Sequence, residues 1–465
     1  MTQIYRRWTL MVYMAGDNGK VFEKSNGEKV KLMFPMETQG WKDIKKMEKV
    51  GSTEEVAILV QFDTLSNRDN TYRLYIRSAS QEQEIQNISP QNTRTFSLPL
   101  CPSDVYSTIE NIPEQNMGDP ASLRDFIIWG IENYPAQNYA VILWNHGTGW
   151  KEDDIYAFAR NRGIQLQASR DEVRSLTRST RRLSRAFFLS SITEVLQLQD
   201  DESRAIAFDD SSMDFLDNAK IQQAFREAEE HTGQKVSLIG MDACLMSMIE
   251  VAYQLRANGN YMVGSQELEP MDGWPYTQIL QSLTTQPEMT PPELAKLVVQ
   301  EYGRYYEEQQ NNLRGSGSEI TQSATNLAVI DKLTEAVGRL ATLLRQLLAE
   351  NDIYAEIAIA RALRQAVHFD DEDFVDLYDL VKHLRDGYTG SSTELTTVLD
   401  EIINLIKLEY EPQLILANVA FGRRVSCAMG LSIYLPLRGC SQFYDRSDFA
   451  KSGWGEFIRF HNQVS

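Results

Sequence analysis

The chain has 465 residues, of which 42% are hydrophobic and 24% are charged, as is normal for a globular protein. Acidic residues outnumber basic ones by 65 to 46, and the formal net charge of −19 disfavours a nucleic-acid-binding protein with a concentrated basic face. The four cysteines form no CxxC pair, which argues against a zinc site and a disulfide scaffold. No stretch approaches the roughly 18 apolar residues of a membrane span, and no signal-peptide cleavage pattern is visible. The sequence therefore favours a cytoplasmic protein that contacts neither membrane nor nucleic acid.

Short apolar runs predict buried strands, and helical patterns lie between some of them. The predicted strands are Trp8–Ala15, Val56–Phe62, Tyr72–Arg77, Tyr139–Trp144, Val236–Met241 and Tyr261–Gly264. The clearest helices between them are Ala121–Asn133 and Asn218–Thr232, and Gly233 ends the second. Buried strands that alternate with helices predict an α/β sandwich with a mostly parallel sheet.

Two insertions interrupt this alternation. The first, Gly19–Gly40, is polar and irregular. The second, Lys151–Arg204, is rich in arginine although the chain as a whole is acidic. Such a segment is often a solvated, partly helical surface. The functional alternatives are a segment made to be cut, or one that binds an acidic surface.

From Thr290 onward the sequence becomes more helical, beginning with a helix at Pro291 and Pro292. Further predicted helices are Lys332–Glu350, Tyr354–Val367, Asp373–Leu384 and Glu394–Tyr410, and Gly430–Leu437 is a predicted late strand. This change of texture predicts two parts. Residues 1–285 would form an α/β domain carrying the arginine-rich insert 151–205, and residues 286–465 a mostly helical subdomain packed on it.

Polar residues follow two of the predicted strands directly. His146 and Gly147 come after the strand that ends at Trp144, and Asp242 and Cys244 come after another. The carboxyl ends of parallel strands meet at one edge of a sheet, where sites form. A helix is predicted to begin immediately after Cys244, and a helix N-terminus favours a thiolate.

A cysteine and a histidine at one sheet edge suit covalent catalysis. The Cys244 thiolate would attack an acyl carbon, and His146 would protonate the leaving amine. The backbone N–H groups of Gly147 and Cys244 would hold the oxyanion. Taken singly, a buried cysteine is usually structural and a His-Gly pair is usually a turn. The pairing of two such strand ends is what favours the catalytic interpretation.

Seven separated segments, in order, resemble the clostripain family of cysteine peptidases, which belongs to the caspase-like clan. The segments are LMVYMAGDN at 10–18, ILWNHGTGW at 142–150, AFDD at 207–210, MDACLMS at 241–247, GSQELEPMDGWPY at 264–276, DLYDL at 376–380 and GLSIYLP at 430–436. The resemblance implies a caspase-like α/β/α sandwich with a catalytic dyad of His146 and Cys244.

The resemblance also implies cleavage after arginine or lysine, by means of an acidic pocket for the P1 side chain. Asp242 and Asp272 match the two acids of that pocket. A carboxylate in a shielded pocket gives a guanidinium a directional, charge-assisted partner. Without the family, Asp242 is equally well interpreted as a helix N-cap and Asp272 as a turn residue. The expected partners are peptides or proteins with a basic P1 residue, and the chain is expected to be a monomer.

Members of this family are made as zymogens that cleave themselves between the histidine and the cysteine. In this chain the arginine-rich insert occupies that interval, and Arg160, Arg178, Arg181 and Arg182 are the candidate cleavage sites. No cofactor is required for the chemistry and no metal ligand set is predicted. Calcium stays possible, because some relatives bind it and acidic chains offer oxygen ligands.

Three features depart from the family pattern: the insertion at 19–40, Ser247 where glycine is common, and a long interval between His146 and Cys244. These departures concern the activation mechanism more than the dyad. Two other functions stay open beside the peptidase. One is a catalytically idle binding or regulatory protein that keeps the fold, against which the intact dyad argues. The other is a different thiol acyl-transfer enzyme such as an amidase, which Asp242 and Asp272 disfavour.

Overall fold

A computed structural model describes residues 5–17, 21–23, 29–31, 36–64, 69–79, 105–145, 206–209, 214–270, 272–309, 319–407, 411–437, 439–441 and 444–464. Its strands are β1 (Arg6–Gly16), β2 (Val21–Glu23), β3 (Lys29–Lys31), β4 (Val56–Thr64), β5 (Asn70–Tyr75), β6 (Thr108–Pro113), β7 (Ala136–Trp144), β8 (Ile206–Asp209), β9 (Asp214–Leu216), β10 (Val236–Asp242), β11 (Gly259–Gly264), β12 (Ile320–Asn326), β13 (Phe374–Asp376), β14 (Ile415–Phe421) and β15 (Ser432–Tyr434). Its helices are α1 (Met36–Glu48), α2 (Pro120–Asn133), α3 (Asn218–Thr232), α4 (Ile249–Leu255), α5 (Tyr276–Thr285), α6 (Pro291–Gln309), α7 (Ile330–Ala349), α8 (Ile353–Gln365), α9 (Leu377–Gly387), α10 (Thr393–Ile406) and α11 (Trp454–Val464).

The central feature is a nine-stranded sheet with the order β14-β12-β11-β10-β7-β1-β4-β5-β6. The five middle strands, from β11 to β4, run parallel, whereas the strands added at either edge are antiparallel. All six strands expected from the apolar runs belong to this sheet. The predicted α/β sandwich with a largely parallel sheet is therefore confirmed.

Helices cover both faces of the sheet, because the middle strands are apolar on both sides. In β1, Met11 and Tyr13 point to one core, whereas Leu10 and Val12 point to the other. Helices α2, α3, α4 and α7 to α11 pack on the first face, and α1, α5 and α6 on the second. Each large apolar side chain that is fully buried here stabilises the fold by about 1.5–3 kcal/mol.

Several predicted element boundaries agree with the structure. Helix α3 begins after Asp217, whose carboxylate accepts a hydrogen bond from the Lys220 N–H at 2.6 Å. It ends at Gly233, whose φ of 68° is the left-handed conformation that glycine adopts at low cost. Within the described residues, no helix combines the length and apolar character needed to cross a membrane.

The region beyond residue 285 contributes strands as well as helices. Both β12 and β14 join the central sheet, although neither was predicted. Strand β12 is buried but polar, with the sequence ITQSATN, so it lacks the apolar run that marks a buried strand. The division into domains at 1–285 and 286–465 stays a prediction, and the second part shares a sheet with the first.

The helix predicted to start directly after Cys244 is wrong in position. Helix α4 begins only at Ile249, and residues 243–248 form an irregular turn. Leu245 has a φ of 62°, which interrupts any helix, and the Ser247 N–H donates to Ser265 O at 2.8 Å instead. Cys244 is therefore not at a helix N-terminus, and the macrodipole is not what favours its thiolate.

Helix α4 carries a buried acid that makes stability depend on pH. Glu250 Oε1 accepts hydrogen bonds from the Tyr434 N–H at 2.9 Å and the Tyr444 hydroxyl at 3.0 Å. Burial raises the pKa of Glu250 to about 7, although these hydrogen bonds lower it. A carboxyl whose pKa is raised on folding contributes stability at low pH and loses it as the pH rises through the folded-state pKa.

We expect Glu250→Gln to remove this pH dependence. From an unfolded-state pKa of about 4.3, the single carboxyl lowers the unfolding free energy of the parent by about 2.5 kcal/mol between pH 5 and pH 8. Over the same pH interval, the unfolding free energy of the variant should rise by that amount relative to that of the parent. Urea denaturation of chains that carry Cys244→Ala measures this difference. Glu356→Gln, on an exposed position of α8, is the matched control. An equal pH slope in the parent and Glu250→Gln would contradict the prediction.

Candidate active site

The two predicted catalytic segments leave adjacent parallel strands at the same level. Trp144 of β7 pairs with Asp242 of β10 in the sheet register. The Asn145 N–H continues this pairing by donating to Asp242 O at 3.3 Å, and Asn145 Nδ2 donates to Ala15 O at 2.8 Å. His146 and Gly147 lie outside the described residues. In the sequence, however, His146 is two positions beyond Trp144, and Cys244 is two beyond Asp242.

Cys244 lies in the turn between β10 and α4 and is partly buried. The Glu269 N–H donates to its sulfur at a distance of 3.3 Å. The next residue, Leu245, donates its N–H to Glu267 O at 3.3 Å. A donor aimed at sulfur stabilises the thiolate over the thiol. The loop after β11 therefore supplies the support that a helix N-terminus was predicted to give.

Ser247 fixes the far end of this turn. Its hydroxyl lies 2.8 Å from Ser323 Oγ of β12 and donates to Gly430 O at 2.7 Å. Its backbone N–H donates to Ser265 O at 2.8 Å. Ser247, which stands where glycine is common in the family, thus adds a buried hydrogen bond between the turn of Cys244 and distant parts of the chain.

Asp242, the first predicted pocket acid, is buried on the sheet face covered by α1, α5 and α6. Its Oδ2 accepts from the Tyr276 hydroxyl at 2.7 Å and from the Trp274 N–H at 3.4 Å. Burial raises the pKa of Asp242, whereas these hydrogen bonds lower it. Gly273 has a φ of 57°, and a Cβ there would lie 3.1 Å from Asp242 Oδ1. A side chain at position 273 would therefore be strained and would crowd this carboxyl.

Asp272, the second predicted pocket acid, is exposed. Its carboxylate accepts from the Tyr305 hydroxyl at 3.4 Å, and its backbone oxygen accepts from Lys46 Nζ at 2.5 Å. The two predicted acids thus lie on different segments, Asp242 at the end of β10 and Asp272 in the loop before α5, and in different environments. Little water screens the charge of the buried Asp242, whereas water screens the charge of the exposed Asp272.

An ion pair on α1, between the buried Asp43 and the partly buried Lys46, connects the Asp272 segment to the strand that precedes His146. Lys46 Nζ lies 2.7 Å from Asp43 Oδ1, and Trp144 Nε1 donates to Asp43 Oδ2 at 3.0 Å. Burial raises the pKa of Asp43 to about 7, although the charge of Lys46 lowers it. Sequence reasoning did not identify Asp43 and Lys46, because they lie on a helix outside every motif that resembles the family.

Glu269 is a further acid that sequence reasoning missed. Its Oε1 accepts from Gln322 Nε2 at 3.1 Å and from Trp274 Nε1 at 3.5 Å. Its carboxyl also lies within hydrogen-bonding reach of Asp242. The available signal was its place in the segment GSQELEPMDGWPY, between the cysteine and Asp272.

Other predicted positions cannot be placed. The candidate self-cleavage residues Arg160, Arg178, Arg181 and Arg182 all lie outside the described residues, as does the whole of insert 151–205. They stay predictions, together with the oxyanion role of Gly147.

Carboxylates that could hold a cation occur at the ends of β1 and β4. Asp17, Asp63 and Glu114 bring oxygens within 4.8 Å of one another. Carboxylate oxygens are ligands that Ca²⁺ accepts. Calcium binding nevertheless stays a prediction from the sequence.

Comparison with known proteins identifies the class of protein that this fold and site define. The family model of peptidase C11, described as the clostripain family, matches residues 36–174 and 194–458. The chain therefore belongs to the clostripain family of cysteine peptidases, which confirms the resemblance found in the sequence.

Among curated proteins, clostripain of Hathewaya histolytica is 32% identical over 151 residues, which are 32% of this chain and 20% of that protein. The match thus spans one fifth of the relative's length. Among solved structures, a secreted C11 cysteine protease from Bacteroides thetaiotaomicron, bound to an irreversible peptide inhibitor, has a TM-score of 0.59 at 16% identity, over 97% of this chain and 99% of its own. An inactive zymogen C11 protease from Parabacteroides distasonis has a TM-score of 0.56 at 16% identity, over 98% and 100%. These similarities confirm the predicted fold.

Proposed function

We propose that the chain is a cysteine endopeptidase that cleaves after arginine or lysine by means of His146 and Cys244. The observation that carries this proposal is the pairing of Trp144 with Asp242 in adjacent parallel strands. Each candidate catalytic residue follows its paired residue by two positions in the sequence. Adjacent strand ends of this kind bring a base within reach of a nucleophile.

In the proposed mechanism the Cys244 thiolate attacks the scissile carbonyl carbon. The C–N bond breaks, His146 gives its proton to the leaving amine, and a thioester links Cys244 to the acyl part of the substrate. His146 then accepts a proton from water, which hydrolyses the thioester and releases the thiolate. The Glu269 N–H, 3.3 Å from Cys244 Sγ, lowers the cost of keeping the resting sulfur ionised.

Preference for a basic P1 residue is supported by the buried Asp242 close to this nucleophile. A buried carboxylate interacts with a guanidinium more strongly than an exposed one, because little water screens it. Asp272 adds a second carboxylate nearby. The proposal includes synthesis as a zymogen, with self-cleavage after Arg160, Arg178, Arg181 or Arg182, and a monomer as the active form.

Peptides that differ only at P1 test this proposal. We expect hydrolysis after arginine and lysine, and a kcat/KM at least about 100-fold lower after citrulline, the neutral counterpart of arginine. Mass spectrometry of the incubated chain should locate a break within residues 151–205. Equal hydrolysis after citrulline or alanine would overturn the basic specificity. An intact chain that cleaves no peptide would favour the idle binding protein instead.

A further inference from the structure

Glu269 contacts both the candidate nucleophile and the predicted P1 acid. Its backbone N–H donates to Cys244 Sγ at 3.3 Å. Its side chain accepts from Gln322 Nε2 at 3.1 Å and from Trp274 Nε1 at 3.5 Å. The same tryptophan donates its backbone N–H to Asp242 Oδ2 at 3.4 Å, so one residue bridges the two carboxyls. Neither the dyad nor the pair of Asp242 and Asp272 assigns a role to this third carboxyl.

Two buried carboxyls in contact cannot both be ionised without a nearby cation, because their charges repel each other in a poorly screened site. Burial raises the pKa of both, and the charge of Asp242 raises that of Glu269 well above its usual value. The Tyr276 hydroxyl, which donates to Asp242 at 2.7 Å, stabilises Asp242 as the ionised member. These directions favour Glu269 as the member of the pair that carries the proton and Asp242 as the member that accepts it.

Among the described residues around this pair, the charged groups do not supply the second positive charge that full ionisation would need. Titratable and charged groups face the pair from α1, the Cys244 turn, the loop after β11, α5 and α6, namely Asp43, Lys46, Cys244, Asp272, Tyr276, Tyr302, Tyr305 and Tyr306. Burial raises the pKa of Tyr276, Tyr302 and Tyr306 well above its usual value, so they stay neutral. The one cation of this set is Lys46, which lies 2.7 Å from Asp43, so the set offers no second cation to Glu269.

On the basis of the proposed specificity for basic P1 residues, we propose that Glu269 is a specificity-determining residue whose proton is released when a basic P1 side chain binds. The O–H bond of Glu269 breaks, its proton passes to water, and the pair changes from one negative charge to two. The guanidinium or ammonium of the substrate supplies the matching positive charge. Recognition of a basic residue is thereby linked to pH through a group outside the catalytic dyad.

Calorimetric titration of Cys244→Ala with a peptide carrying arginine at P1 tests this inference. Measured at pH 7 in phosphate and in Tris, the binding enthalpies should differ by the amount that release of about one proton predicts. The same titration with the citrulline peptide should show no proton release. Because this variant cannot cleave, only binding is measured.

Glu269→Gln in the same background should abolish the proton release and weaken binding of the arginine peptide roughly tenfold at pH 8. Glutamine can still accept from Gln322 and donate to Asp242, so the fold is retained, and a thermal melt checks this. Glu301→Gln is the matched control, because Glu301 on α6 is also buried but pairs with Arg304 at 2.8 Å. That control should keep the proton release.

The outcomes separate this inference from the proposed function. Tight binding of the arginine peptide without proton release, or undiminished release in Glu269→Gln, would overturn the role of Glu269 and leave the basic specificity standing. Equal binding of the arginine and citrulline peptides would overturn the basic specificity itself.

Discussion

Cys244→Ala is expected to abolish both peptide hydrolysis and self-cleavage. The substitution removes the only atom that forms the covalent acyl bond, so kcat/KM for arginine peptides should fall roughly ten-thousand-fold or more. Stability should change little, because the side chain is partly buried and alanine keeps the turn. Denaturing gels of freshly purified chain and a fluorogenic arginine peptide measure the two effects.

Cys427→Ala is the matched control for this experiment. Cys427 is exposed, in the segment between β14 and β15, and belongs to no proposed step. This variant should cleave itself and its substrates as the parent does. Activity of Cys244→Ala within tenfold of the parent, or an equal loss in Cys427→Ala, would contradict the assignment of the nucleophile.

Asp242→Asn should produce the second large loss, and it should be confined to basic substrates. Asparagine still accepts the Tyr276 hydroxyl but carries no charge. Loss of a buried partner for a substrate cation costs about 2–5 kcal/mol, or roughly 30-fold to several thousand-fold in kcat/KM. The ratio of kcat/KM for arginine and citrulline peptides measures this effect, because a general loss of structure lowers both values.

Asp272→Asn provides the comparison, and the structure predicts a smaller effect for it. Its carboxylate is exposed, so an interaction with substrate is screened and contributes about 1 kcal/mol or less. We expect the arginine-to-citrulline ratio to fall by roughly fivefold. A loss at Asp272 that equals or exceeds the loss at Asp242 would contradict this order of the two acids.

Sequence patterns predicted the middle of the sheet well because its strands are apolar on both faces. The apolar runs that end at Trp144 and at Met241 predicted two strands of this sheet. In the structure these strands are neighbours, and the register pairs Trp144 with Asp242. Patterns failed at β12, because Thr321, Gln322, Ser323 and Thr325 are buried yet polar. Hydrogen bonds across the chain, such as Ser323 with Ser247, replace the apolar signal there.

The candidate site was predictable only as far as motifs reached. Asp242 was weighed as a helix N-cap or a pocket acid, and its burial beside Tyr276 supports the second interpretation. The start of α4 was misplaced because the residues after Cys244 are apolar at helical spacing, whereas Leu245 adopts a positive φ. Glu269 and Lys46 were missed because their partners are distant in sequence, as with Lys46 and Asp272 O at 2.5 Å.

The anchoring of Ser247 has a consequence for the order in which the enzyme is assembled. Its hydroxyl rests on Ser323 and on Gly430 O, which follow it by 76 and 183 residues. A nascent chain therefore carries both His146 and Cys244 well before it contains the support for the turn that holds Cys244. At about 5–20 residues per second, the ribosome needs roughly 10–40 s to add that support. The thiol thus reaches its final setting only after Gly430 has been added to the chain.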